Sequence, residues 1–471
     1  MKEIIYIQAG NFSNFIGTHF WNAQESYFTY EDGEDSYVDH DVSFREGRTL
    51  KGEATFCPRL LLFDRKSNFG ALDDGLYGAD VGEDSAAAQW NGTIDEIRRP
   101  PVSKSTYQSH LDDGEAVANN DASEIRYWSD YGHVMYHPRT PQRLPDLADY
   151  ENTEGDWISN REAFTKYSED TDLMDDSFRF FGLQVMNDMS TFGGFTHSFL
   201  AAFPYQVLST LTIAIKKALN DALCLQGLDE LSTLSIPIQN PATWTRGPWV
   251  DDIDLKRNLS YHTSSLLSTH IENITLPYRL KKSQDTLFSG SALLSLRGNQ
   301  RIAHLSGAFP IDSDLTDLEN RLYDLSLNSA KTSSIFQTSG CIDVSRGFSE
   351  ALRTSYQEWR GSWRPQPHYV DSPAISPPTS FPRYFGSDIV PPSLSAFTTL
   401  ETTSRSAVLF SQYAKLANDC TKQHAAIVQQ MGLEMDDVKE LRDVLRALED
   451  EYRGDEEYAD GDDHELGEDE E

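Results

Sequence analysis

The chain has 471 residues, a formal net charge of −35, and 38% hydrophobic and 11% aromatic residues. That is enough apolar material for two or three folded domains, and so acidic a balance disfavours nucleic acid and anionic lipid as general ligands. No run of about 18 apolar residues occurs, so no transmembrane helix is predicted.

The first 25 residues set the pattern. Lys2 to Ala9 is a short run with Ile4, Ile5, Tyr6 and Ile7, and it stops at Gly10. Phe12, Phe15, Ile16, Phe20 and Ala23 then recur at helical spacing, with Asn11, Ser13 and Asn14 as cap candidates. Strand, glycine turn and helix make the first half of a βαβ unit, where a phosphate can sit on the helix N-terminus. An α/β domain without a ligand fits the same pattern. Glu3 lies inside the strand, so neither a signal peptide nor an Arg-rich presequence is predicted here.

Further along, Ser26 to Thr55 reads as a polar surface loop with at most a short strand, and Pro58 to Asp64 as a central parallel strand. Residues 75–120 form a Gly-, Ala-, Asp- and Ser-rich excursion with Trp90 as a packing anchor. In Glu124 to Leu144, Trp128, Tyr131, Met135 and Tyr136 are spaced to pack on a core, and His137-Pro138-Arg139 ends the element. The histidines there lack metalloenzyme spacing and read as structural. Asp156 to Phe181 is a polar helix leading to FFGLQVMND, and Gly193-Gly194 marks a tight turn.

In the second half, Asp251 to Leu280 predicts a helix with Leu259, Leu266, Leu267, His270 and Ile274 on one face. SALLSL and IAHLSG are strand candidates, and prolines crowd a loop from Gly361 to Pro382. Thr402 to Ala417 and Asp437 to Tyr452 read as helices; Val438, Leu441, Val444, Leu445 and Leu448 form a stripe suited to core packing, or to a partner. The acidic tail from Asp455 cannot fold alone. Cys57, Cys224, Cys341 and Cys420 are far apart with no CxxC, which predicts reduced thiols.

The run IQAGNFSNFIGTHFWNAQE resembles the opening of the tubulin superfamily, and in particular the Misato/DML family of tubulin-like proteins linked to mitochondrial inheritance. Trp90-Asn91-Gly92, WSDY followed by HPR, TLPYRL and EMDDVKELRDVLRALEDEY carry the same resemblance. In the tubulin pattern the turn after the first strand contacts the nucleotide. Gly10, Asn14 and Gly17 match it, with Asn11 a shortened polar match. Asp64 matches the first acid of the metal-side loop, and Lys66 replaces the second. Over the glycine-rich phosphate loop the chain reads Ser190-Thr191-Phe192-Gly193-Gly194-Phe195-Thr196, with Gly194 alone on a required glycine. Phe12, Phe192 and Phe195 place rings where small or polar groups face the nucleotide. Asn240 falls on the guanine-reading position; a turn Asn before Pro241 is the plain alternative. Thr196 to Leu219 is shorter than the family pattern, through a missing core element or a trimmed sequence.

The resemblance implies an α/β, tubulin-like fold: a mostly parallel sheet of nucleotide-binding type, a second α/β domain and C-terminal helices. The implied divisions are 1–118, 119–280, 281–400, 401–452 and a tail at 453–471. It implies a role in mitochondrial distribution, morphology and inheritance; the phenylalanines over the phosphate loop predict a non-enzymatic protein, with no catalytic residue, no metal and no cofactor, GTP being the one candidate. Gly10, Asn11, Asn14, Asp64, Gly193, Gly194 and Asn240 would be a vestigial GTP pocket. The alternative is a divergent, polymerising GTPase that uses the same pocket. Implied partners are proteins, cytoskeletal or of the outer mitochondrial membrane; implied locations are the outer mitochondrial surface and the cytoplasm.

Overall fold

The computed structural model describes residues 2–28, 36–48, 54–72, 102–114, 122–146, 156–170, 182–202, 215–244, 253–295, 300–312, 317–327, 336–363, 365–383 and 391–453. The Trp90 region, the middle of the short 196–219 segment and the acidic tail lie outside these residues.

Strand β1 (Ile4–Ala9) lies inside a parallel sheet. Its neighbours are β4 (Leu60–Arg65) and β6 (Gly182–Asn187), and β5 (Pro141–Leu144) adds to β4. Both faces are buried, which is why Ile4 to Ile7 and Leu60 to Phe63 read as continuous apolar runs. Ile4 and Tyr6 face one core and Ile7 and Ala9 the other, the period of two that a strand imposes.

On one face lie α1 (Asn11–Glu25) and, across it, α6 (Ser260–Thr275). From Tyr261 onward every residue of α6 is buried. Its Ser and Thr hydroxyls return to the helix's own carbonyls, and its longer polar groups reach across. The buried Glu272 carboxylate meets Arg279 and Arg346 at 3.0 Å each and accepts from Tyr27 at 3.0 Å. The other face is covered by α3 (Trp157–Asp170), α4 (Met189–Ala202) and α5 (Ile215–Leu231), then by α9 (Ser406–Gln423) and α11 (Met435–Arg453).

A second, mixed sheet has the order β10 (His368–Ser372), β9 (Thr338–Arg346), β11 (Ser395–Thr403), β7 (His304–Ile311), β8 (Tyr323–Asp324). It shares the α1/α6 core through Ile342, Val344 and Leu400. Helix α8 (Glu350–Arg360) packs on it with Leu352 and Tyr356. Arg346, on β9, therefore ties this sheet to α6 through Glu272.

Several expectations shift. Residues 26–55 carry β2 (Phe44–Arg48), which pairs with β3 (Ala54–Pro58) as an antiparallel ribbon. The excursion holds α2 (Thr106–Asp113), capped by Ser105. SALLSL is not a strand: Ser291 to Leu294 belong to α7 (Leu287–Leu294), started by a Thr286–Ser289 capping box. The proline-crowded loop contains β10, and the helix read from Thr402 begins at Ser406, because 395–403 is strand. The stripe on α11 is core: Val438, Leu441, Leu445 and Leu448 are buried. Met135 is not; it is 58% exposed. The remaining short helix, α10 (Ala425–Gln430), links α9 to α11.

Candidate functional site

The carboxyl ends of β1, β4 and β6 meet the N-termini of α1 and α4, where ligands of parallel α/β sheets commonly bind. Gly10 makes the turn out of β1 with φ 104°, a conformation reserved for glycine. Its N–H bonds the Phe63 carbonyl, and a β-carbon on it would lie 2.6 Å from the Asp188 side chain.

Asp188 follows β6 directly, held by its N–H on the Ala9 carbonyl at 2.8 Å. Its carboxylate accepts the Phe12 N–H at 2.8 Å and the Ser13 N–H and Ser13 Oγ at 2.9 Å. Those N–H groups are the first-turn donors of α1, which no helix satisfies internally and which favour an anion. Here the anion is the chain's own carboxylate.

Beside it, Asn14 Nδ2 donates to Asp64 Oδ2 at 2.9 Å and to the Phe63 carbonyl at 3.1 Å. Asp64 also accepts Trp128 Nε1 at 3.0 Å, Asn68 Nδ2 at 2.7 Å and the Arg65 N–H at 2.8 Å. Burial pushes the Asp64 carboxyl up to about 6, against the pull of these donors. Burial also pushes Asp188 up to about 7, with the Asp64 charge adding to the rise.

The structure thus gathers Gly10, Asn14 and Asp64. Asn11 is exposed, and Lys66 is exposed in the turn after β4. The buried cation there is Arg65, which donates to Asn160 Oδ1 and sits 5.4 Å over the Phe192 ring. Gly193 and Gly194 do not form a turn; both are inside α4. A β-carbon on Gly194 would collide with the Trp157 carbonyl of α3, and one on Gly193 would lie 3.3 Å from Cys224 Cβ of α5. They are glycines because helices cross there. Phe192 and Phe195 are likewise not at a pocket mouth. They are buried in the α3–α5 core, with Phe195 5.1 Å from Phe63. Phe12 is half-buried at the start of α1. Asn240 caps the turn Pro241–Thr243, its Oδ1 accepting the Ala242 N–H at 2.9 Å.

Sequence reasoning missed Asp188 and the Trp128 indole N–H. The signal for the first was present: an acid at the carboxyl end of a parallel strand, next to the strand that ends in Gly10. The phosphate of a guanine nucleotide, the ligand the fold implies, would compete with the Asp188 carboxylate for the same N–H groups. No group of three His, Cys, Asp or Glu suited to a metal occurs among the described residues, and no described helix is long and apolar enough to cross a membrane.

Residues 2–113 match the Misato Segment II tubulin-like domain, and residues 117–280 match a tubulin domain. Together with the parallel sheet and its paired helix N-termini, these matches define a tubulin-like α/β protein. The chain belongs to the Misato/DML1 family. It is 34% identical to protein DML1 of Gibberella zeae over 65% of this chain and 67% of that one. It is 31% identical to protein dml1 of Aspergillus niger over 79% and 82%, and 25% identical to protein misato homolog 1 of Danio rerio over 66% and 64%.

Proposed function

We propose that this chain is a non-enzymatic, tubulin-like protein of mitochondrial distribution and morphology, and of the inheritance of mitochondria and their DNA. It works from the cytoplasm at the outer mitochondrial surface, through protein partners of the cytoskeleton or outer membrane. The mitochondrial part is supported by membership of the Misato/DML1 family. The non-enzymatic part is supported by one observation: the Asp188 carboxylate takes the first N–H groups of α1, where a nucleotide phosphate would bind.

The test is replacement in cells that lack the protein, scoring the mitochondrial network and transmission of mitochondrial DNA. Wild type and Asn240→Ala restore both equally in this reading. The second reading, a divergent polymerising GTPase, draws on the convergence of Gly10, Asn14 and Asp64 at the strand ends. It requires Asn240→Ala to fail in rescue while remaining folded. If removal of the protein leaves mitochondria unchanged, the role itself is refuted.

A further inference from the structure

Residues 133–137 bend at Val134 and lead into a turn at Pro138–Arg139, closed by the Thr140 N–H on the His137 carbonyl at 2.8 Å, and exposure alternates along them. Met135, His137 and Arg139 are exposed; Val134, Tyr136 and Pro138 are half-buried. The Thr140 carbonyl accepts the Leu62 N–H, which fixes this stretch beside the start of β4. The β2–β3 ribbon leads into β4 at the same place, with exposed Arg45 opposite Cys57. The Arg139 N–H donates to His137 Nδ1 at 3.1 Å, and partial burial, then the Arg139 and Arg45 charges, lower the His137 pKa. Glu46 shares the opposite side of the ribbon with Phe56. Among the described residues, Asp41 beside the ribbon is exposed, and Glu25 is paired with His133 at 2.9 Å.

We propose that this face, Arg45, Met135, His137 and Arg139, docks on an anionic phospholipid surface. The net charge of −35 does not forbid it. Charges are screened over about 8–10 Å at physiological salt, so an approaching surface responds to the nearest residues. A cation at an anionic bilayer is worth about 1 kcal/mol. The choice of lipid over an acidic peptide, such as residues 455–471 of a second copy, rests on Met135. A methionine 58% exposed on the same stretch as Arg139 gains from burial in acyl chains and gains nothing from a carboxylate. The proposal names a surface for the mitochondrial reading and does not depend on nucleotide.

The test is co-sedimentation of the full chain with vesicles of phosphatidylcholine alone and of phosphatidylcholine mixed with phosphatidylserine. Binding is expected to the mixed vesicles only and to weaken with salt. Arg45→Glu with Arg139→Glu should lower it by at least about ten-fold. Met135→Ser should lower it while leaving the salt dependence intact. All three positions are exposed, so folding is retained and checked by circular dichroism. Equal binding by wild type and the double variant would overturn the proposal. So would a double variant that changes self-association in sedimentation velocity and not vesicle binding, the result an acidic-peptide site would give. Failure here with intact rescue of mitochondrial shape would leave the proposed function standing.

Discussion

Asp188 and Gly10 share one space. The Asp188 side chain lies where a β-carbon on residue 10 would stand, and its carboxylate closes the helix that Gly10 opens. The turn that Gly10 makes at the helix N-terminus here admits a carboxylate from the end of β6, the strand paired directly with β1. Gly10→Ala should therefore cost about 2–4 kcal/mol, from φ strain and from displacement of the cap. Urea unfolding measures it. A loss below half a kcal/mol would show that the turn relaxes and Asp188 is not packed against it.

Gly194 tests packing against phosphate binding. Gly194→Ala should destabilise by about 1–3 kcal/mol, because α3 must move away, while Gly193→Ala should cost less. Thermal unfolding without any ligand reads both. Equal, negligible effects would remove the helix-crossing explanation.

Glu272 joins α6 to both Arg279 and Arg346, and the two guanidinium groups are fully buried. Glu272→Gln leaves two buried cations without a carboxylate, so a loss of about 3–5 kcal/mol is expected. Protein that unfolds in urea at the wild-type midpoint would contradict the role of this triad in joining α6 to the second sheet.

Stability should vary with pH in two opposing ways. Asp64 and Asp188 have raised pKa values in the fold, so their favourable contribution is complete below the unfolded value of 3.8 and is lost as pH rises through about 6 and about 7. Burial lowers His19, His270 and His304 to about 3. The unfolded chain takes up those protons first, so stability is lost as pH falls from 6.5 toward 3. Asp188→Asn should flatten the loss near pH 7 and leave the acid limb unchanged. Melting temperatures across the range check this; an unchanged profile in the variant would contradict a titrating Asp188.

Much of this architecture was legible in the chain. Ile4 to Ile7, Leu60 to Phe63 and the α11 stripe announce their elements because burial is continuous or strictly periodic there. Trp128 and Tyr131 were legible as packing residues for the same reason. SALLSL misled because a short buried helix and a buried strand are equally apolar, and the Thr286 cap lies upstream of the run. β10 was hidden among prolines because only its pairing with β9, distant in sequence, makes it a strand. The site was half legible. Gly10, Asn14 and Asp64 follow from the resemblance to the tubulin pattern, but Asp188 meets Ser13 across 175 positions, and no local spacing encodes that contact. Phe192 and Phe195 do not stand at a pocket mouth as expected: they fill a core, and the Asp188 carboxylate takes the first N–H groups of α1.

The most direct measurement is a thermal-shift titration of the full chain with GTP and magnesium. A ligand that binds the folded state must raise its melting temperature as concentration passes the dissociation constant. With Asp188 seated on α1, the melting temperature should stay flat across the titration. A saturable rise that disappears in Asn14→Ala would contradict the account.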